Sequence, residues 1–199
     1  MTWPSRGSDT GQAFPIYITV VAGLLLLAFA YLAVGQAAAN RNGAQTAADA
    51  AALAAALDTR DDLAVEWKAN VLDPTKWQAI FDGDGVPYAG CGRAQQLAAQ
   101  NDATADCGPA AGLLPGYTVE VETNKPVGDS IIPGTETMHS VETATAVIEP
   151  LCTFEPPGEG GEGDVLPELS CKDRDWILKP DDLDVLPEPE DLFDVHLAD

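Results

Sequence analysis

Four cysteines are the residues of this chain whose spacing most directly predicts a chemistry. They are Cys91, Cys107, Cys152 and Cys171. None of the spacings is that of a C-x-x-C zinc pair. An even cysteine count is typical of disulfides in an oxidising compartment, and four unrelated buried thiols are the alternative. Of the three connectivities that four cysteines allow, Cys91–Cys107 and Cys152–Cys171 close the shortest loops, so we expect these two disulfides.

The two histidines do not form the pattern of a catalytic centre. His139 has Glu142 nearby and His196 has Asp194 nearby, but a lone histidine beside an acid is more often a surface residue than a catalytic base. The sequence contains neither a G-x-S-x-G nor an H-E-x-x-H motif. We therefore predict a protein that is not an enzyme and that uses no cofactor.

The segment Asp82–Gly85 (DGDG) resembles the start of a calcium-binding loop. An EF-hand requires an oxygen ligand at its fifth position and a glutamate at its twelfth. Here those positions hold Val86 and Arg93. We interpret the segment as a Gly/Asp turn and predict no metal site.

Charge is distributed very unevenly along the 199 residues. The chain has 32 Asp+Glu against 10 Lys+Arg, a net charge of −22. A nucleic-acid partner requires clustered bases, which this composition lacks, so we expect no nucleic-acid binding. Residues 10–40 contain no charge at all, whereas residues 151–199 hold 15 acids and three bases. This separation argues against one uniform soluble domain.

The uncharged run Phe14–Gly35 is long enough to cross a membrane. Its 22 residues form a helix of about 33 Å, against a hydrocarbon core of about 30 Å. A cleaved secretory signal is the alternative, with a small-x-small site ending at Gly35, but the run exceeds the usual apolar length of such signals. We expect a retained transmembrane helix at 14–35 in contact with membrane lipid, after a short cytoplasmic leader at 1–13.

The segment that follows, residues 36–60, is rich in alanine, the best helix former. We expect the membrane helix to continue into water here as a stalk, with a weak point at Asn40–Gly43 where it could bend. Small side chains let another helix approach closely. The candidate packing positions are Ala47, Ala48, Ala51, Ala52 and Ala55. A stalk without a partner is the alternative.

Residues 61–155 have the pattern of a small α+β domain. Helical spacing continues to Leu72, Asp73-Pro74 is typical of a helix start, and another helix is predicted at Cys91–Asn101. Strict alternation at Tyr117–Thr123 predicts a strand, and Met138–Ile148 is rich in β-branched residues. In the second strand Val141, Thr143, Thr145 and Val147 share a face. We expect an antiparallel pair packed on the preceding helices.

The last part of the chain, residues 156–199, is acidic and interrupted by proline and glycine. This composition favours a disordered tail. However, apolar residues near Asp175–Leu178 and Leu192–Leu197 leave open that short pieces dock on the domain.

The N-terminal third resembles a known family. Gly11-Gln12-Ala13-Phe14-Pro15-Ile16, the apolar span, and then Asn42–Ala56 (NGAQTAADAAALAAA) look like the TadE/TadG-like family of Flp (Tad) pilus-assembly proteins. The resemblance covers about residues 10–58. It implies a bacterial, membrane-anchored, extracytoplasmic component of a Tad pilus or secretion apparatus, with other pilus-assembly or pilin-like membrane proteins as partners and no catalytic residues.

The resemblance also raises a processing site at Gly11. Pilin-like members are cut after a glycine that has a glutamate five residues later, whereas here that position is Ile16. We therefore expect a single-pass cell-membrane protein with its N-terminus in the cytoplasm and its C-terminal domain outside. The alternative is a secreted acidic binding module released by cleavage near Gly35.

Overall fold

The computed structural model describes residues 13–84, 89–128, 134–156, 166–181 and 185–198. Its first element is one helix, α1 (Ala13–Ala69), of 57 residues, which corresponds to about 85 Å. The predicted weak point at Asn40–Gly43 is helical without interruption. The Asn40 side chain donates hydrogen bonds there to the carbonyl oxygens of Lys125 and Pro126.

The short elements after α1 lie close to where the sequence places them. A 3-10 turn at Pro74–Lys76 leads into α2 (Trp77–Phe81). The start at Pro74 was predicted, but Asp73 makes no side-chain cap bond to the helix. Its carboxylate instead accepts a hydrogen bond from the Thr75 hydroxyl at 2.5 Å. The helix α3 (Cys91–Gln100) agrees with the prediction and buries Ala94 and Ala98.

The remaining elements are mostly short strands. In chain order they are β1 (Ala103–Pro109), β2 (Gly116–Thr123), β3 (Val141–Pro150), β4 (Cys152–Phe154), β5 (Leu169–Cys171), β6 (Asp175–Trp176), the one-turn helix α4 (Pro189–Leu192) and β7 (Phe193–Leu197). The described residues form an antiparallel sheet in the order β1-β2-β3-β7 and a smaller sheet in the order β4-β5-β6. The predicted pair β2–β3 is the centre of the larger sheet.

The β-branched residues of β3 lie on the face that points away from the core. Val141, Thr143, Thr145 and Val147 do share a face, but this is the more exposed one. The buried face carries Ala144, Ala146 and Ile148. Small alanines on the inner face let the sheet lie close against α1, which explains why this face is the buried one.

The acidic C-terminal region contributes to the core instead of remaining a free tail throughout. Leu169, Trp176, Leu192 and Phe193 are all at least nine-tenths buried. Burial of these side chains offsets the cost of ordering β5, β6, α4 and β7. The docked alternative is therefore the one found for these elements.

The core lies between the C-terminal half of α1 and the larger sheet. Aromatic rings fill the end farthest from the apolar run: Trp67 and Trp77 have ring centroids 5.4 Å apart, and Phe81 lies 5.6 Å from Phe193. A long apolar N-terminal helix followed by small helices and antiparallel sheets makes the protein α+β, as predicted. The described residues between 36 and 198 that surround this core are called the head below.

Candidate functional site

The N-terminal part of α1 exposes a continuous apolar surface. Leu24, Leu25, Leu26 and Leu27 are each more than half exposed. The helix is long and apolar enough to cross a membrane, and only 6% of its apolar part is buried. Apolar surface of this extent is unfavourable in water. This half of the helix is therefore consistent with a single-pass membrane anchor.

The alanine-rich part of the same helix is buried inside the chain. The candidate packing residues Ala47, Ala48, Ala51, Ala52 and Ala55 are all 0% exposed. They pack in one core with the larger sheet and with α3. The sequence-based alternatives were a face packed by another helix and a stalk without a partner; here α3 and the larger sheet of the same chain cover the face. The alanines serve close packing, as their small size predicts, but within their own chain.

The closest approach within this core joins α1 to the start of α3. A Cβ built on Gly90 would lie 2.3 Å from the carbonyl oxygen of Ala55. The Gly90 N–H donates a hydrogen bond of 3.1 Å to the Tyr117 hydroxyl oxygen. The same hydroxyl lies 2.6 Å from the Thr59 hydroxyl, and this pair is buried. The contact therefore joins α1, α3 and β2 and satisfies polar groups that burial would otherwise leave unpaired.

A second contact fixes the head to α1 near the end of the apolar run. The Asn40 amide donates hydrogen bonds to the carbonyl oxygens of Lys125 and Pro126, at 3.1 and 3.4 Å. The Thr123 hydroxyl donates to the Asn40 side-chain oxygen at 3.3 Å. Sequence reasoning missed this role because the bonded partners are more than 80 residues apart.

An ion pair stands beside this contact. Arg41 Nε donates to Glu142 Oε1 at 2.5 Å, linking α1 to the start of β3. The arginine side chain is 74% exposed, so water screens the pair and its contribution to stability is small. Its effect is to orient the two elements more than to stabilise them.

Both predicted disulfides are present. Cys91–Cys107 joins the start of α3 to β1, and Cys152–Cys171 joins β4 to β5. No described cysteine is free. The shortest-loop pairing is therefore confirmed, and each bond links two elements that are small enough to need such a connection.

The histidines lie apart from one another. His139 Nδ1 donates to the Thr123 carbonyl oxygen at 2.5 Å. His196 Nδ1 lies 3.2 Å from Asp194 Oδ2, and Glu149 stands opposite Asp194 across the β3–β7 pair. One potential ligand atom from each of these last three residues lies within 4.8 Å of the others. All three are at the surface, and such groups are common there without any bound ion.

Two further sites singled out in the sequence lie partly or wholly outside the described residues. Asp82 and Gly83 form a turn after α2, while Gly85 and Val86 lie outside the described residues. Gly11 lies outside them as well.

The one titration shift among the described groups concerns Asp73: the hydrogen bond from the Thr75 hydroxyl lowers the pKa of this carboxyl, with a smaller contribution from Lys76.

Comparison with known proteins gives a family match for the N-terminal part of the chain. Among the curated proteins and the solved structures, none matches the chain. A family model does match at residues 11–58, which comprise the exposed apolar half of α1 and its alanine-rich continuation into the core. That model describes a pilus-assembly family and indicates no enzyme family. Residues 11–58 are therefore similar to the TadE/G-like family of putative Flp pilus-assembly proteins.

Proposed function

We propose that this protein is a membrane-anchored structural component of a bacterial Tad/Flp-type pilus assembly or secretion system, of the kind that includes minor pilins. Its apolar helix spans the cell membrane once, its N-terminus is cytoplasmic and its head is extracytoplasmic. The protein works by packing and by position, and it carries out no chemical reaction. Its partners are membrane lipid and other pilus-assembly or pilin-like membrane proteins.

The observation that carries this proposal is the change of environment along one unbroken helix. Leu25 and Leu26 are 53% and 62% exposed, whereas Ala51 and Ala52 on the same helix are 0% exposed. A rigid helix that is apolar and uncovered at one end and enclosed by a folded head at the other transmits the position of the head to the membrane. This is the property that an assembly component requires.

The disulfides support the outward orientation. Both Cys91–Cys107 and Cys152–Cys171 lie in the head, and disulfides persist in oxidising compartments outside the cytoplasm. The family match at residues 11–58 supports the pilus system as the setting. Because the alanine face is enclosed, we expect partner proteins to contact the apolar half of α1 within the bilayer or the outer surface of the head.

Paired aspartate substitutions at Leu25 and Leu26 test the anchor. Each charge at the centre of a membrane helix costs about 2.5–3.5 kcal/mol on the insertion scale, so Leu25→Asp/Leu26→Asp should move the protein out of the carbonate-washed membrane fraction. Leu113→Asp, at an exposed position of the head, is the matched control and should remain in the membrane.

The intact mass of the mature wild-type protein completes this test. A retained anchor predicts that the mass includes residues 14–35. A mature protein that begins at about Gln36 and is found in the soluble extracytoplasmic fraction would replace the anchor by a secreted acidic binding module. Unchanged fractionation of the double aspartate variant would also contradict the proposal.

A further inference from the structure

We propose that the β2–β3 connection of the head, at Lys125–Val127 and Met138, rests on the outer surface of the bilayer beside the anchor. The inference concerns the described residues on either side of that connection and names lipid as the partner. It rests on the proposed function, because it requires that residues 14–35 span the membrane. It goes beyond an anchor, since it gives the head a second membrane contact of its own.

The direction of β2 along α1 is the first step. At the start of this strand the Tyr117 hydroxyl contacts Thr59, and at its end the Thr123 hydroxyl contacts Asn40. Because each helical residue advances about 1.5 Å, these two contacts lie about 28 Å apart along α1. The strand therefore runs from the far end of the head toward the membrane end of the helix.

The height of the connection above the bilayer is the second step. The apolar run ends at Gly35, and Asn40 lies about 7.5 Å further along the helix axis. A bilayer has a hydrocarbon core of about 30 Å and a total thickness of about 40–45 Å, so each headgroup layer is about 5–8 Å deep. The carbonyl oxygens of Lys125 and Pro126, bonded to Asn40, consequently lie at the outer edge of that layer.

The chain continues beyond this level. The Thr123 N–H donates to the carbonyl oxygen of Ser140, and beyond this bond the Val127 N–H donates to the carbonyl oxygen of Met138 at 2.8 Å. The two chain segments therefore remain paired past the ends of β2 and β3. Met138 is 58% exposed. A flexible apolar side chain at this height can enter the headgroup region, where apolar surface is stabilised by removal from water.

The burial of Ala33 provides independent support. This residue lies within the apolar run and is 7% exposed, whereas its neighbours Leu32 and Val34 are 56% and 65% exposed. It shares a helix face with Asn40 and Ala44, seven and eleven residues later. The shielded face of α1 therefore begins within the last turn of the apolar run, close to the level of the connection.

Local charge permits the contact. The protein carries a net charge of −22, and an acidic surface is repelled by anionic lipid. At this end of the head, however, each of two bases is paired with an acid, Lys125 with Asp102 at 2.7 Å and Arg41 with Glu142 at 2.5 Å. Two further acids, Glu122 and Glu136, are exposed at the same end. This end of the head therefore keeps a negative charge, and the contact is with zwitterionic lipid, not with anionic lipid.

Nitroxide labels on the full-length protein in lipid vesicles test the proposal. Three variants with one added cysteine each are compared: Met138→Cys at the connection, Leu113→Cys at the opposite end of the sheet, and Leu25→Cys within the apolar run. Leu113 is a matched control, since it is a fully exposed apolar residue in the connection before β2, which begins near Thr59. The native disulfides are verified by mass before labelling.

Accessibility of each label to oxygen and to a water-soluble nickel chelate gives its depth. We expect the label at position 138 to favour oxygen over the chelate by several-fold relative to position 113, as the label at position 25 also does. Equal accessibilities at 138 and 113, with position 25 still in lipid, would overturn the lipid contact and leave the anchor intact. A water-exposed label at position 25 would overturn the anchor and this inference together.

Discussion

Residue size decides the packing at the centre of the protein. Where α1 meets α3, the carbonyl oxygen of Ala55 occupies the space in which a side chain at Gly90 would lie. The backbone of Gly90 has φ −59° and ψ −17°, which every residue type adopts. Glycine is required at this position by close approach of the two helices and not by its conformational freedom.

Alanine substitutions at two neighbouring glycines separate these effects. Gly90→Ala should destabilise the protein by about 1–3 kcal/mol, because the new methyl group overlaps backbone atoms that cannot move freely. Gly92→Ala in the same helix has no atom within 4 Å of the new Cβ. It should be neutral or stabilising by up to about 1 kcal/mol, since alanine is the better helix former.

The measurement is denaturant unfolding of each full-length variant in detergent micelles, followed by near-ultraviolet circular dichroism of the head. Equal stability of the two variants would contradict the close contact of α1 with α3. A Gly92→Ala variant less stable than Gly90→Ala would contradict it more strongly.

Single elements differ in how much of them the sequence could predict. The helices α1 and α3 follow from composition and spacing, and β2 follows from the alternation of Tyr117, Val119 and Val121, all of which are buried. The disulfide pairing follows from loop length. These features depend on neighbours in the sequence, so local patterns are sufficient to predict them.

Other elements depend on contacts that a local pattern does not contain. The strand β1 (ATADCGP) has no large apolar residue, and only its pairing with β2 makes it a strand. The strand β7 does alternate Phe193, Val195 and Leu197, but the acidic composition around it outweighed that signal. The sequence also did not indicate which face of β3 is the inner one: alanine is a weak strand former, yet here small size against α1 decides which face is buried.

In the candidate site, too, features that are local in sequence could be predicted and long-range contacts could not. The apolar run was predicted because it is continuous in sequence, and the alanine positions were recognised as a packing face. Their partner was not, because it comes from α3 and from strands far along the chain. The contacts of Asn40 with residues 123–126 leave no periodic pattern that could have indicated them.

Removal of the Cys91–Cys107 disulfide should affect two elements more than the rest. This bond joins the start of α3 to β1 across 16 residues of sequence. The chain-entropy model gives about 3 kcal/mol for a loop of this length, within an observed range of about 2–5 kcal/mol for native bonds. We expect Cys91→Ala/Cys107→Ala to lower the melting temperature and to increase amide exchange mainly in α3 and β1.

The comparison with Cys152→Ala/Cys171→Ala makes this prediction specific. That pair links β4 to β5, so its loss should increase exchange in the smaller sheet instead. Melting curves that do not change on reduction, for the wild-type protein, would argue against a structural role for either bond.

At the scale of the whole molecule, the two halves of one helix suit different solvents. Its first half presents apolar side chains that water disfavours, and its second half forms part of the core of an acidic, disulfide-linked head. The charge of −22 keeps that head soluble, while the uncharged residues 14–35 suit lipid. The unbroken helix and the contacts at Asn40 and Gly90 hold the head in a fixed relation to the apolar half of α1.

Protease accessibility in spheroplasts of a bacterium that expresses the full-length protein tests this account most directly. We predict that added proteinase digests the head without lysis of the cells and leaves a membrane-bound fragment that contains residues 14–35. Protection of the head until the cells are lysed would contradict the account, as would recovery of the whole undigested chain from the soluble fraction.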